Sequence, residues 1–203
     1  MIGIIDYGLG NINAISNIYN KLKINNIIIS SANDFDRSDK LILPGVGAFD
    51  SAMNLLNNSN FISEIQKQIF ENKKKILGIC VGMQIFGKNS SEGKISGLNW
   101  IDGTVKKIGS NNLKNLRLPH MGWNSVKISR DNFLFNDVTN NEYFYFCHSY
   151  YFDCLNKNNI LAETNYAHNF ASVINNENIY GIQFHPEKSH DSGVKVLKNF
   201  AKL

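Results

Sequence analysis

The chain has 203 residues, 43% hydrophobic and 19% charged, with a formal charge of +4. This is an ordinary globular composition, and a chain of this length buries about 70% of its unfolded surface without needing disulfides or metals. The lysines are scattered, with short runs only at 73–75 and 106–107, which argues against the gathered basic face of a nucleic-acid binder, and no apolar run is long enough to span a membrane.

The opening MIGIIDYG lacks the basic region, long apolar stretch and cleavage site of a secretory signal, and the three cysteines have no paired spacing. A reduced, cytoplasmic setting is expected. Residues 1–6 read as a buried strand ending at the turn Tyr7-Gly8-Leu9-Gly10-Asn11. Ile12, Ile15, Ile18, Tyr19 and Leu22 then recur at helical spacing. Short strands follow at 27–30 and 40–43, helices at 48–56 and 61–70, and a further buried strand at 75–79. A helix should open at 81–86, with Gly87 shortening it. This alternation predicts a parallel sheet with helices on its faces.

The second half is β-rich, at 100–108, 124–129, 142–153, 160–164, 171–174 and 178–184, and closes with a helix over 193–203. With no linker or repeat, residues 1–203 are expected to form a single α/β domain. Its mostly parallel central sheet should be flanked by helices and carry additional antiparallel strands.

Gly78-Ile79-Cys80-Val81-Gly82 places a cysteine between glycines where a buried strand meets a helix, the form of a nucleophile elbow. Side-chain-free neighbours let strand and helix approach closely, and the sharp turn exposes the apex residue. Unpaired N–H groups at the helix start favour a thiolate, the nucleophilic form. The Val81 N–H would face the oxyanion formed when Cys80 attacks a carbonyl. A buried structural cysteine is the plain alternative for this motif alone. Cys147 and Cys154 lack flanking glycines and are expected in the core. Cys147 and His148 cannot form a dyad, because consecutive strand side chains point to opposite faces.

A cysteine nucleophile needs a base. His185 follows the strand Gly181-Ile182-Gln183-Phe184, and Pro186 stops that strand at its carboxyl end, where open α/β sheets place their sites. Glu187, two residues on, could bond the far ring nitrogen and fix the tautomer. A simple strand-ending turn is the alternative. No histidine pair has metal-ligand spacing with the cysteines, Gly8-Leu9-Gly10 lacks the rest of a dinucleotide loop, and no Walker-type phosphate loop exists. Neither cofactor nor metal is expected.

Gly78–Gln84 with Phe184-His185-Pro186-Glu187 resembles the class I, triad-type glutamine amidotransferases. The likeness extends to Ile5–Asn11, Pro44-Gly45-Val46-Gly47, Pro119-His120-Met121-Gly122-Trp123-Asn124 and Phe184–Ser189, so it runs the length of the chain. The resemblance implies that Cys80 attacks the glutamine amide, His185 moves the proton and Glu187 orients the ring. It further implies that backbone N–H groups near Val46 and Val81 hold the oxyanion, and that Gly47, Gln84, Ser149 and Tyr150 hold glutamine. Asn11, Trp123, Asn124 and Lys188 match positions at or near the interface with a synthase. Several segments are similar to the subgroup that serves histidine biosynthesis as a heterodimer with a (β/α)8-barrel cyclase. His190 instead resembles paralogues encoded with surface-polysaccharide genes, so two ammonia acceptors stay open.

Overall fold

The computed structural model describes residues 1–109 and 117–203. Strand β1 (Ile2–Ile5) is buried at every position and pairs in parallel with β2 (Asn26–Ile29) and β3 (Lys40–Gly45). A strand covered on both faces has no polar side to alternate with, which is why it reads as a continuous apolar run. Helix α1 (Ile12–Lys21) buries Ile15 and Tyr19, the inner part of its predicted stripe. Helix α2 (Phe49–Asn58) follows β3, and α3 (Ile62–Gln66) runs into a π turn over Lys67–Glu71.

Strand β4 (Lys75–Cys80) leads into α4 (Val81–Gln84), a single turn shorter than the predicted 81–86. The chain turns away because Gly87 abuts Phe152 and the Gly103 carbonyl, where a Cβ would fall 2.9 and 3.1 Å from its neighbours. The remaining elements are β5 (Gly103–Lys107), β6 (His120–Ile128), β7 (Glu142–His148), β8 (Tyr150–Cys154), β9 (Ile160–Tyr166), β10 (His168–Asn176), β11 (Ile179–Ile182) and α5 (His190–Lys202).

Among the described residues, one sheet has the order β2-β1-β3-β4-β11-β10-β9-β6-β7, and β5 pairs with β8 in a separate ribbon. The block from β2 to β11 is parallel and the remainder antiparallel. This is the expected parallel centre with antiparallel additions. The run 142–153, read from sequence as one β segment, is instead two strands broken at Ser149 and belonging to different sheets. Both halves are equally aromatic, so composition gave no sign of the break.

The placement of β11 decides what the fold brings together. It lies beside β4 in parallel, with Ile182 opposite Ile79, while β3 flanks β4 on the other side with Gly45 opposite Cys80. Three carboxyl ends therefore meet at one edge. The segments at 45–47, 80–82 and 183–187 all leave the sheet there.

Candidate active site

Cys80 sits at the apex with φ 54° and ψ −111°, outside the regions open to most L residues. Such a backbone costs about 1–3 kcal/mol and persists only where packing imposes it. The flanking glycines show how. A Cβ on Gly82 would lie 2.0 Å from the Leu43 carbonyl oxygen, and one on Gly78 would lie 2.6 Å from the Gly82 oxygen. The elbow is thus pressed onto β3, and only glycine fits at either position. Gly45, opposite Cys80, is equally close to the Gly82 nitrogen. The Tyr7 hydroxyl donates to the Pro44 carbonyl at 2.9 Å, pinning the end of β3 beside the sulfur. Burial and the nearby Cys80 raise the Tyr7 hydroxyl well above its ordinary range, so it remains a donor.

His185 is 4% exposed and anchored through its backbone. Its N–H donates to the Tyr145 carbonyl at 2.9 Å, and its carbonyl accepts the Ser189 hydroxyl at 2.6 Å. Ser189 Oγ in turn accepts from the Tyr145 N–H at 2.9 Å, which ties the His-Pro-Glu turn to β7. On the ring, Nδ1 meets Glu187 Oε1 at 2.9 Å. A carboxylate only accepts, so Nδ1 carries the hydrogen and Nε2 is left for the sulfur. Burial alone would lower the imidazole pKa. Hydrogen bonds and charge from Cys80 and Glu187 outweigh it and push the value up to about 10. For the Glu187 carboxyl, burial raises the pKa, yet the bonds from His185 and Asn11 leave it below its ordinary value. Asn11 Nδ2 donates to the same Oε1 at 2.6 Å, while Oε2 is buried with no hydrogen-bond partner among the described residues. The side chain of Glu187 is only 2% exposed.

A cavity of about 350 Å³ opens over the sulfur. Its walls bring together Cys80, His185, Val46, Val81, Gly47, Gln84, Ser149, Tyr150 and Lys188, drawn from segments that run from Val46 to Lys188 along the chain. Glu187 stands behind the ring rather than in the wall. Gly47 has φ +91° and nothing within 4 Å of a built Cβ, so its backbone faces open space.

Asn11 and Asn124, expected near a partner, have their amides engaged within the chain, Asn124 with the Asn165 carbonyl at 3.0 Å. Trp123 is 45% exposed and stacks on His190 with ring centroids 5.1 Å apart, while Lys188 Nζ lies 5.7 Å over the Tyr145 ring. Both side chains are exposed, and Lys188 also lines the cavity.

Cys147, expected in the core, is half-buried, on the less covered face of β7 with Tyr143 and Tyr145, and at the end of that strand it lines the cavity together with its buried neighbour His148. Three polar groups went unrecognised in the sequence. Glu92 lines the cavity and accepts the Phe49 N–H at 2.9 Å, but lies in an aperiodic loop. Gln183 donates to Cys80 Sγ at 3.6 Å; its position within an apolar strand was the available signal. Tyr7 carried none beyond its turn.

The family model of glutamine amidotransferase class-I matches residues 3–203. The chain is 45% identical to the imidazole glycerol phosphate synthase subunit HisH of Leptospira borgpetersenii and 46% identical to subunit HisH 2 of Methanococcus maripaludis, covering all of this chain and 100% and 99% of theirs. Among solved structures, a glutamine amidotransferase superposes with a TM-score of 0.76 at 15% identity, covering 100% of this chain and 99% of that one. The structure of PurLQS from Thermotoga maritima gives 0.75 at 16% identity, over 99% and 97% of the two chains.

Proposed function

The chain belongs to the class-I glutamine amidotransferase family, and we propose that it is the glutaminase subunit of an imidazole glycerol phosphate synthase, passing ammonia to a cyclase partner for histidine biosynthesis. The observation that carries the chemistry is the alignment of sulfur, imidazole and carboxylate at one sheet edge, with the ring's Nδ1 committed to Glu187. Full-length relatedness to HisH subunits supports the choice of acceptor.

In this reading glutamine enters the cavity with its side-chain amide over Cys80. Gln84, Ser149, Tyr150 and the Gly47 backbone hold it, and the Glu92 carboxylate suits the α-ammonium group. The Cys80 thiolate adds to the amide carbon, and the oxygen takes the negative charge. Backbone N–H groups of Val46 and Val81 receive that oxyanion, each such donor being worth about 3 kcal/mol in comparable hydrolases. The protonated His185 gives its proton to the departing nitrogen, the carbon–nitrogen bond breaks, and ammonia leaves a glutamyl thioester. The now neutral imidazole takes a proton from water, whose oxygen attacks the thioester. Glutamate departs and the thiolate–imidazolium pair is restored. The high pKa of His185 suits the first transfer, since the ring holds its proton until the amide nitrogen becomes basic.

The partner is a (β/α)8-barrel cyclase that receives ammonia through its core, met by the face carrying Trp123 and Lys188, with Asn11 and Asn124 beneath it. In this reading no cofactor takes part and the reaction is a cytoplasmic one. Among the described residues no helix is long and apolar enough to cross a membrane. The test is the Cys80→Ala variant, assayed for glutamate release with the cyclase present. Hydrolysis should vanish while the complex still forms. Retained hydrolysis would remove Cys80 as the nucleophile.

A further inference from the structure

His120 on β6 and His148 on β7 face each other in register, are 3% and 6% exposed, and share a 3.1 Å contact between His120 Nδ1 and His148 Nε2. The chemistry above uses neither ring. The direction of their hydrogen bond follows from either end. At one end His148 Nδ1 lies 2.8 Å from the Tyr150 carbonyl oxygen. That oxygen only accepts, so Nδ1 carries the hydrogen and Nε2 is the acceptor. His120 must then donate from Nδ1 and accept at Nε2.

At the other end, Asn124 Nδ2 stands 3.2 Å from His120 Nε2. Its amide cannot be turned over, because Nδ2 also donates to the Asn165 carbonyl and Oδ1 accepts from the Ser125 N–H at 2.8 Å. Asn124 therefore donates to Nε2, the same direction again. Two independent backbone anchors agree on one proton arrangement, with both rings neutral and protonated at Nδ1. Their surroundings favour neutrality: His120 lies between the Phe146 and Tyr166 rings, at 4.8 and 4.0 Å between centroids. Burial lowers the pKa of His120 to about 4 and that of His148 to about 3.

The chain of bonds continues to the sulfur. The Tyr150 carbonyl accepts a second bond from Gln84 Nε2 at 2.9 Å, whose other hydrogen goes to Gln183 Oε1 at 3.0 Å. Gln183 Nε2 ends at Cys80 Sγ. Both amide hydrogens of Gln84 are thus committed, and only its carbonyl oxygen remains to meet a ligand.

We propose that His120 and His148 are positioning residues that fix the Tyr150 carbonyl, and through it the Gln84 amide, in the glutamine pocket, and that they tie this pocket to the strand carrying Trp123. The proposal rests on the glutaminase reading of the cavity. It differs from that reading in assigning work to two rings outside the reacting atoms.

Two measurements test it. In the full chain labelled with ¹⁵N-histidine, long-range ¹H–¹⁵N spectra near neutral pH should show both rings neutral with hydrogen on Nδ1. An Nε2-protonated or charged ring at either position would overturn the relay. In steady-state glutamine hydrolysis measured with the cyclase partner present, His148→Leu removes the donor to Tyr150, whereas His148→Asn keeps an N–H near the Nδ1 position. The leucine variant should raise KM about tenfold with kcat changed less than about threefold, and the asparagine variant should regain most of the loss. An unchanged KM in the leucine variant, with an active wild type, refutes the positioning role. A wild type that does not hydrolyse glutamine refutes instead the reading on which it rests. If the leucine variant does not fold, the wild-type tautomers decide alone.

Discussion

Cys80 shows how much of the site depends on what its neighbours lack. The elbow is held in a strained backbone by contacts that leave no volume at Gly78 or Gly82, and the Gly82 position is the tighter, with 2.0 Å to the Leu43 oxygen. That atom is backbone in a central strand, so it cannot move aside as a side-chain tip would. Gly82→Ala should therefore destabilise the fold by about 3 kcal/mol, the upper range for overpacking a well-filled interior. Denaturant unfolding would check this; a loss below about 1 kcal/mol would mean that the elbow relaxes away from β3. At the same scale, Asn11 combines two expectations. The resemblance places it near a partner, and the structure shows its amide on Glu187 Oε1.

At the level of elements, β6 and β7 carry more than their length suggests. Their cross-strand pair His120–His148 is buried among aromatic rings and held neutral. The consequence for stability follows from proton counting. Both folded-state pKa values, about 4 and about 3, lie below the ordinary 6.5. Between these limits the unfolded chain binds protons that the folded chain refuses. Unfolding free energy should then fall as pH is lowered through 6.5 toward 4, whereas above 6.5 neither ring contributes a slope. Denaturant titrations at pH 7, 5.5 and 4.5 measure this, and His120→Phe should flatten the slope by removing one of the two rings. An equal slope in that variant would assign the acid sensitivity elsewhere. The Glu142–His148 and Tyr150–Cys154 strands also show where sequence patterning falls short. The whole of 142–153 reads as β-rich, but the change of sheet at Ser149 depends on the ribbon with β5, a partner more than forty residues upstream.

For the whole molecule, the decisive feature is the return of the chain to place β11 against β4. It joins the parallel block to the antiparallel block and sets His185 beside a cysteine about a hundred residues earlier. The same edge presents Lys188 and Trp123 outward, with Trp123 supported by His190 and Lys188 by Tyr145. A buried aromatic anchor with a charge beside it is a common centre of an interface. Lys188→Glu should weaken binding of the cyclase at least about tenfold, an effect of the size seen when a charge is reversed in a complementary interface. Glutamine hydrolysis measured with the partner present should fall as well. Calorimetry with the purified partner measures the first, and an unchanged dissociation constant would take Lys188 out of the interface.

The sequence by itself determined the alternation of strand and helix, the elbow around Cys80 and the position of His185 just past a strand's carboxyl end, although the strand stops at Ile182 rather than at 184; period, glycine spacing and proline act locally and leave a local trace. It also carried the family, through motifs distributed from Ile5 to Ser189. Tertiary structure alone decided that β11 lies beside β4, that Glu92, Gln183 and Tyr7 stand at the cavity or its sulfur, and that Cys147 faces the pocket rather than the core. Those placements depend on which distant strands share a sheet and in what register. Long-range pairing is settled by burying apolar faces together, and that is a property of the assembled chain which no single segment records.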